Sequence, residues 1–274
     1  MDYTLHEWVR MASHHGSIAR CAIEKQAEES GLDALAVREK MRHHLRVMQE
    51  AAQQGLDERL RSVTGLTGGQ AALMMKRLQA GKCLAGNLLG KAEVYALATA
   101  ECNGCMGKIV AAPTAGACGI LPGAVLAMME EKGATEEQAV DALFVAAAVG
   151  QAIATQASIS GAMAAAALVY LEGGNPQQCA DAAAFALMNL LGLVCDPVGG
   201  LVEVPCVYRN VGASGIAFTA ADMVLSGIRC PIEPDEVILA MKEVGDALPT
   251  SLRETGEGGC AACESICKRL HHKE

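Results

Sequence analysis

Apolar positions recur with a helical period along most of the chain. The spacing predicts two amphipathic helices, over residues 4–30 and 33–54, with Asp33 as the N-cap of the second. Both carry many charged side chains, so we expect them to form an outer layer. Further helices are predicted directly after residue 70 and over residues 88–106, 123–132, 135–157, 162–172, 177–192, 214–227, 234–247 and 260–270.

Strand signals are few, since the chain has neither a long β-branched run nor an Asn-Gly hairpin. The predicted fold class is therefore mainly α, as a single compact helical domain over residues 1–274. Within it we expect outer helices over about 1–62 and a core over about 63–274. Three irregular glycine-rich loops interrupt the helices: residues 64–69, 107–122 and 193–213. Irregular backbone is costly to bury without polar partners, so loops that converge on a helical frame favour an active site.

The composition narrows the class of protein further. Of the 274 residues, 51 % are hydrophobic but only 3 % are aromatic, so small aliphatic side chains must build the core. The net charge of −9 argues against a nucleic-acid partner, because phosphate contacts need clustered Lys and Arg. The uncharged stretch from Ala142 to Leu171 is long enough to span a bilayer. Its alanines, glutamines and serines favour two buried helices instead, so no membrane partner is expected.

Twelve cysteines bear on location and chemistry. The N-terminal sequence MDYTLHEWVR has no apolar segment of the kind found in signal peptides, so we expect a cytoplasmic protein with reduced thiols. Clustered thiols are then candidate metal or iron–sulfur ligands. Two groups have a suitable spacing: the pair Cys102 and Cys105, and the run Cys260, Cys263 and Cys267.

The loop TGLTGGQ (64–70) precedes a predicted helix. Such a loop can bind an anion at the helix N-terminus. It lacks the Lys-Ser/Thr pair of a P-loop and follows no predicted strand, so nucleotide binding is not expected.

The segment CDPVGGLVEVPC places Cys195 and Cys206 at the two ends of one irregular loop. Its central Gly-Gly allows the loop to fold back and bring both ends within one coordination sphere. The spacing by itself also fits two unrelated buried thiols, because iron–sulfur sites usually show tighter C-x-x-C runs.

Two long motifs carry a resemblance to a known family. CDPVGGLVEVPCVYRN (195–210) resembles the signature of the iron–sulfur-dependent L-serine dehydratases, and APTAGACGILPG (112–123) resembles a second signature of that family. Shorter motifs follow the family's order: LTGG (66–69), ASISG (157–161), LGLVC (191–195) and LRETGEGG (252–259). The chain resembles the α subunit of the two-subunit form, in which a separate β subunit supplies the other domain.

The resemblance implies a lyase that deaminates L-serine to pyruvate and ammonia without pyridoxal phosphate. It implies a [4Fe–4S] cluster held by three cysteines, whose open iron acts as a Lewis acid on the serine hydroxyl. Cys195 and Cys206 match two of the three ligand positions. Arg209 is expected to pair with the substrate carboxylate, with an ion pair to Glu203 or Asp196 as an equal alternative. Thr114 and Asn210 are expected to line the pocket; the general base is not identified.

The third cluster cysteine of the family lies in a glycine-rich stretch after the ASISG motif. Here ASISGA (157–162) runs directly into MAAAALVY (163–170), so about a dozen residues and that cysteine are missing. Cys263 is the predicted replacement, because a helix over 260–270 would place its cysteines on one face. The alternatives are a helix face packed on the core, a zinc or redox module, and a catalytically impaired structural subunit. An oligomer is expected in either case.

Overall fold

Three N-caps set the starts of the first helices in the computed structural model, which describes residues 3–153 and 160–271. Helix α1 spans Leu5–His15, α2 spans Ile18–Ser30 and α3 spans Ala34–Gly55. The single helix predicted over 4–30 is therefore wrong. Gly16 adopts a φ of 96°, and the Ser17 hydroxyl accepts a hydrogen bond from the backbone N–H of Arg20, which ends one helix and caps the next. Asp33 caps α3 as predicted.

Nine more helices complete the described chain: α4 (Gln70–Gln79), α5 (Gly86–Gly104), α6 (Ile120–Lys132), α7 (Glu136–Ile153), α8 (Ser160–Leu171), α9 (Pro176–Leu190), α10 (Cys206–Leu225), α11 (Pro234–Ala247) and α12 (Glu264–His271). Apart from one isolated bridge between Cys195 and Arg253, the described residues contain no strand. The mainly α prediction is confirmed.

Helices α5 and α8 form the centre of the bundle. Helix α8 packs against α6, α7, α9 and α10, and α5 packs against α3, α4, α6 and α10. Every residue of α8 from Ser160 to Val169 is buried, and half are alanine, so neighbouring helices approach it closely. These closely packed helices form the frame on which the loops lie.

The uncharged stretch divides between α7, which ends at Ile153, and α8, which begins at Ser160. The end of the helix predicted over 135–157 and residues 157–159 of the ASISG motif lie outside the described residues. In the part that is described, no helix is both long and apolar enough to cross a membrane.

Two predicted helices near the cysteines are corrected. Helix α10 begins at Cys206, inside the segment predicted as a loop, because burial of Val207, Asn210 and Ser214 outweighs the low helix propensity of its glycines. The helix predicted over 260–270 is broken at Cys263. A 3₁₀ turn spans Gly259–Ala262, Cys263 is extended, and α12 follows.

Candidate functional site

A cavity of about 310 Å³ lies where two of the predicted loops meet the start of α10. Its lining includes Thr114, Cys195, Cys206, Arg209 and Glu254, and we call it the site cavity. Four of these five residues were predicted from sequence to belong to one site. The cavity therefore brings together two motifs that are separated by about 80 residues in the chain.

The loop between the two cysteines folds back on itself. Gly199 and Gly200 adopt positive φ angles of 62° and 70°, which residues with a Cβ rarely adopt. Across this turn, the backbone N–H of Val198 donates a hydrogen bond to the carbonyl of Val204 at 2.8 Å. As a result Cys195 and Cys206, at the two ends of the loop, line the same cavity.

Glu203 anchors this loop to residues 62–67. Its buried carboxylate accepts hydrogen bonds from the hydroxyls of Ser62, Thr64 and Thr67 and from the backbone N–H of Thr67. A buried carboxylate needs hydrogen-bond donors of this kind, because burial of an unpaired polar group is costly. The third predicted loop, residues 64–69, thus supports the site without lining it.

The same 64–69 loop binds the side chain of a glutamate from elsewhere in this chain. Glu101, which is fully buried on α5, accepts the backbone N–H groups of Gly68, Gln70 and Ala71 at 2.9, 3.1 and 3.0 Å. These groups form the N-terminus of α4, where a negative charge is favoured. The anion site expected at this loop is therefore filled by an internal side chain.

Arg209 forms the ion pair with Asp196 that was one of its predicted alternatives. Its Nη1 lies 2.6 Å from Asp196 Oδ1 and donates to the carbonyl of Val194 at 2.8 Å. Both contacts use Nη1, so Nε and Nη2 have no partner among the described residues. Arg209 is 29 % exposed and lines the site cavity, which leaves these donors for a ligand.

Asp196 is buried and, besides its ion pair with Arg209, accepts a hydrogen bond from the backbone N–H of Cys260 at 2.6 Å. Burial alone would raise the pKa of the Asp196 carboxyl. The Cys260 N–H and the Arg209 guanidinium outweigh that effect and hold the pKa below its ordinary value. Asp196 therefore stays ionised and fixes the orientation of Arg209.

The two thiols at the cavity are neutral in the metal-free chain. Burial raises the pKa of Cys195, and the nearby Glu254 carboxylate adds to the effect. Burial also raises the pKa of Cys206, with a smaller contribution from Cys195. A metal bound here would have to displace both protons, so its affinity would rise with pH.

Thr114 and Asn210 occupy different positions in the cavity wall. Thr114 is exposed and precedes a 3₁₀ turn over Ala115–Ala117. Asn210 is buried, accepts the N–H of Gly119 at 2.8 Å, and donates to the carbonyls of Gly116 and Cys206 at 2.7 and 2.8 Å. Its amide thus ties the 112–123 motif to α10.

Comparisons with known proteins identify the family of this chain. A family model described as "Serine dehydratase alpha chain" matches residues 13–261. The chain belongs to the serine dehydratase alpha-chain family. It is 49 % identical to the probable L-serine dehydratase, alpha chain, of Bacillus subtilis over 237 residues, covering 82 % of this chain and 79 % of that protein.

Other relatives differ in how much of their length matches this alpha chain. The L-serine dehydratase, alpha chain, of Peptoniphilus asaccharolyticus is 35 % identical over 278 residues, which cover 96 % of this chain and 94 % of that protein. L-serine dehydratase 1 of Escherichia coli is 40 % identical over 191 residues, which cover 64 % of this chain and 42 % of that protein. The match to the Bacillus protein is 237 residues long but takes up only about 225 residues of this chain. The matched region of the Bacillus protein thus has about a dozen positions without a counterpart in this chain.

The alpha chain's described residues do not fit a cluster held by three cysteines. Among them, no three His, Cys, Asp or Glu side chains are placed to share one metal ion. Cys263 is exposed, its Sγ lies 3.8 Å from the carbonyl of Gly259, and it does not line the site cavity. Cys118 is fully buried outside the lining, where burial raises its pKa to about 12. The side chain of Cys267 lies outside the described part of the chain.

Glu254 is the site residue that the sequence analysis did not single out. It belongs to the motif LRETGEGG, which was used only for the family resemblance. Its backbone N–H donates to the carbonyl of Cys195 at 2.6 Å, and the N–H of Cys195 donates to the carbonyl of Leu252 at 2.9 Å. This pairing of two distant segments explains why only the three-dimensional structure reveals Glu254 at the cavity.

Proposed function

We propose that this chain is the α subunit of an L-serine dehydratase and that its site cavity binds L-serine for conversion to pyruvate and ammonia. One observation carries the proposal: the residues of the two family signatures meet at one cavity. Cys195, Cys206 and Arg209 reach it from the first signature and Thr114 from the second. The names of the relatives, which are alpha chains or L-serine dehydratases, support the same activity.

Arg209 is the residue that holds the substrate carboxylate. A guanidinium group binds a carboxylate through two parallel N–H donors. Nε and Nη2 supply these donors, while Asp196 and the Val194 carbonyl hold Nη1. Thr114 and the wall formed by Asn210 complete the substrate pocket.

The family's [4Fe–4S] cluster and a separate β subunit belong to this proposal as predictions from the resemblance. Cys195 and Cys206 both line the site cavity, which supports them as two ligands, whereas the exposed position of Cys263 outside that lining does not support its predicted role as the third. Because the described residues do not complete that set, we assign no step of the reaction to the cluster. The word "alpha" in the relatives' names supports a β partner, and an oligomer in the cytoplasm remains the expected setting.

A catalytically impaired α subunit is the second candidate. The observation that favours it is the lack of a third metal-binding side chain beside Cys195 and Cys206 among the described residues. Such a subunit would keep the fold and the substrate pocket but would not release ammonia.

Binding of L-serine tests the proposal directly. Calorimetry of the full chain should show binding of L-serine, and Arg209→Lys should weaken it by about tenfold, because lysine keeps the charge beside Asp196 but lacks the planar fork. Arg59→Lys, at an exposed arginine outside the cavity, is the matched control. A wild-type chain that binds no L-serine would contradict the proposal.

Activity separates the two candidates. The chain is reconstituted anaerobically with iron and sulfide, combined with a β subunit, and assayed for pyruvate. Release of pyruvate that depends on L-serine supports the dehydratase, whereas binding of L-serine without pyruvate supports the impaired subunit.

A further inference from the structure

Glu254 has an unusual backbone conformation for a residue with a side chain. Its φ of 66° lies in the left-handed region, which glycine adopts far more easily. The motif around it contains three glycines, at 256, 258 and 259, yet glutamate occupies this position. Strained residues of this kind cluster at ligand-binding and catalytic sites, where the surrounding structure fixes the side chain.

The backbone of Cys195 fixes the position of Glu254. The two hydrogen bonds that join residues 252–254 to Cys195 place the Glu254 side chain at the cavity lining, beside the Cys195 thiol. A negative charge is therefore held at the edge of the site cavity, although the residue itself is exposed.

Three acidic residues lie in or near the cavity wall, and they differ in what their carboxylates already bind. Glu203 accepts hydrogen bonds from three hydroxyls and one backbone N–H. Asp196 forms an ion pair with Arg209 and accepts a hydrogen bond from the Cys260 N–H. The Glu254 carboxylate has no hydrogen-bond or ion-pair partner among the described residues. It is the acid that remains able to bind a cation supplied by a ligand.

We propose that Glu254 accepts the α-ammonium group of the substrate while Arg209 binds its carboxylate. The inference rests on the proposed function and deepens it, because it defines the ligand class as zwitterionic α-amino acids. The charges are complementary: an α-amino acid carries one positive and one negative group on the same carbon, and the cavity lining presents one of each sign. Glu254 is a substrate-binding residue in this assignment.

The test compares two ligands that differ only in the ammonium group. L-serine and 3-hydroxypropanoate share the carboxylate and the hydroxyl, but 3-hydroxypropanoate lacks the α-amino group. Their dissociation constants are measured by calorimetry on the full chain and on Glu254→Gln. We expect Glu254→Gln to weaken L-serine binding by about tenfold. Binding of 3-hydroxypropanoate should be unchanged or tighter, because the substitution removes a negative charge near an anion.

Two further variants control for folding and for general charge. Glu257→Gln removes an exposed charge from the same segment, outside the cavity lining, and should leave both affinities unchanged. Glu254→Gly removes the carboxylate while relaxing the left-handed backbone, so it should reproduce the selective loss without destabilising the chain.

Each outcome bears on the assignment. Equal weakening of both ligands in Glu254→Gln would overturn it, since a purely structural role affects them alike, and so would unchanged L-serine affinity. If the wild-type chain binds 3-hydroxypropanoate as tightly as L-serine, the ammonium is not recognised and the inference fails while a carboxylate pocket survives. If the wild-type chain binds neither ligand, the proposed function fails as well.

Discussion

Two of the three groups of spaced cysteines, Cys195 with Cys206 and the C-terminal run, differ in how the structure arranges them. The segment 194–210 holds Cys195 and Cys206 at one cavity, with Glu203 and Asp196 buried beneath it. The C-terminal run that begins at Cys260 makes a 3₁₀ turn, leaves Cys263 exposed and then continues as α12. The first pair converges on a single site, and the described part of the second does not.

The polar anchors account for the difference. Glu203 ties the first segment to the 62–67 region through four hydrogen-bond donors, and Arg209 ties its end back to Asp196. In the described part of the C-terminal run, the comparable anchor is the hydrogen bond from the Cys260 N–H to Asp196. Cysteine spacing thus indicates a possible ligand set, and buried hydrogen bonds decide whether the thiols meet.

Iron binding should distinguish the two regions most strongly. After anaerobic reconstitution of the isolated chain, we expect bound iron to fall short of the four atoms of a [4Fe–4S] cluster. We expect the iron that does bind to drop by more than about tenfold in Cys195→Ala and in Cys206→Ala, because each removes one of two thiolate ligands. Cys263→Ala should leave it unchanged. Iron and sulfide per chain and the visible spectrum are measured for the wild-type chain and the three variants.

A different pattern of iron binding would contradict this prediction. A wild-type chain with four irons that are lost in Cys263→Ala would establish Cys263 as the third ligand. It would also show that the C-terminal run moves to the cavity when metal binds.

The sequence predicts a structural feature well when that feature depends on contacts between residues close together in the chain. Asp33 marks a helix start that the structure confirms, because an N-cap acts within one turn. The start of α10 at Cys206 was not predicted, since packing against distant helices decides it. Glu254 was missed for the same reason: its partner, Cys195, lies 59 residues away in sequence.

The turn that connects the two regions should be sensitive to a single methyl group. Gly259 has a φ of 59°, and a Cβ added there would overlap the carboxylate of Asp196. We expect Gly259→Ala to lower the free energy of unfolding by about 3 kcal/mol, from backbone strain together with displacement of Asp196. Urea unfolding followed by circular dichroism measures the change.

Gly133→Ala is the matched control for this substitution. Gly133 ends α6 with a φ of 72°, and a Cβ there would meet nothing within 4 Å. Its cost should be about 1 kcal/mol, from backbone strain alone. Equal costs for the two variants would show that Asp196 does not restrain the C-terminal turn.

A smaller loss of stability than that of Gly259→Ala is expected at Asp196 itself, and it should depend on pH. Asp196→Asn keeps the shape but removes the charge that pairs with Arg209 and accepts the Cys260 N–H, so it should cost about 2 kcal/mol at pH 7. The folded state holds the pKa of Asp196 below its ordinary value of 3.8. The charge therefore contributes fully above about pH 4, and its contribution is lost as the pH falls through the folded-state pKa.

Urea unfolding from pH 7 down to pH 3 tests that dependence. The difference in the free energy of unfolding between the wild-type chain and Asp196→Asn should stay constant down to about pH 5 and narrow below pH 4. Asp222→Asn, at an exposed position on α10, should show no comparable narrowing. A difference that did not change with pH would mean that the charge of Asp196 does not contribute to stability. The link between the cysteine loop and the C-terminal run would then rest on the Cys260 hydrogen bond and not on charge.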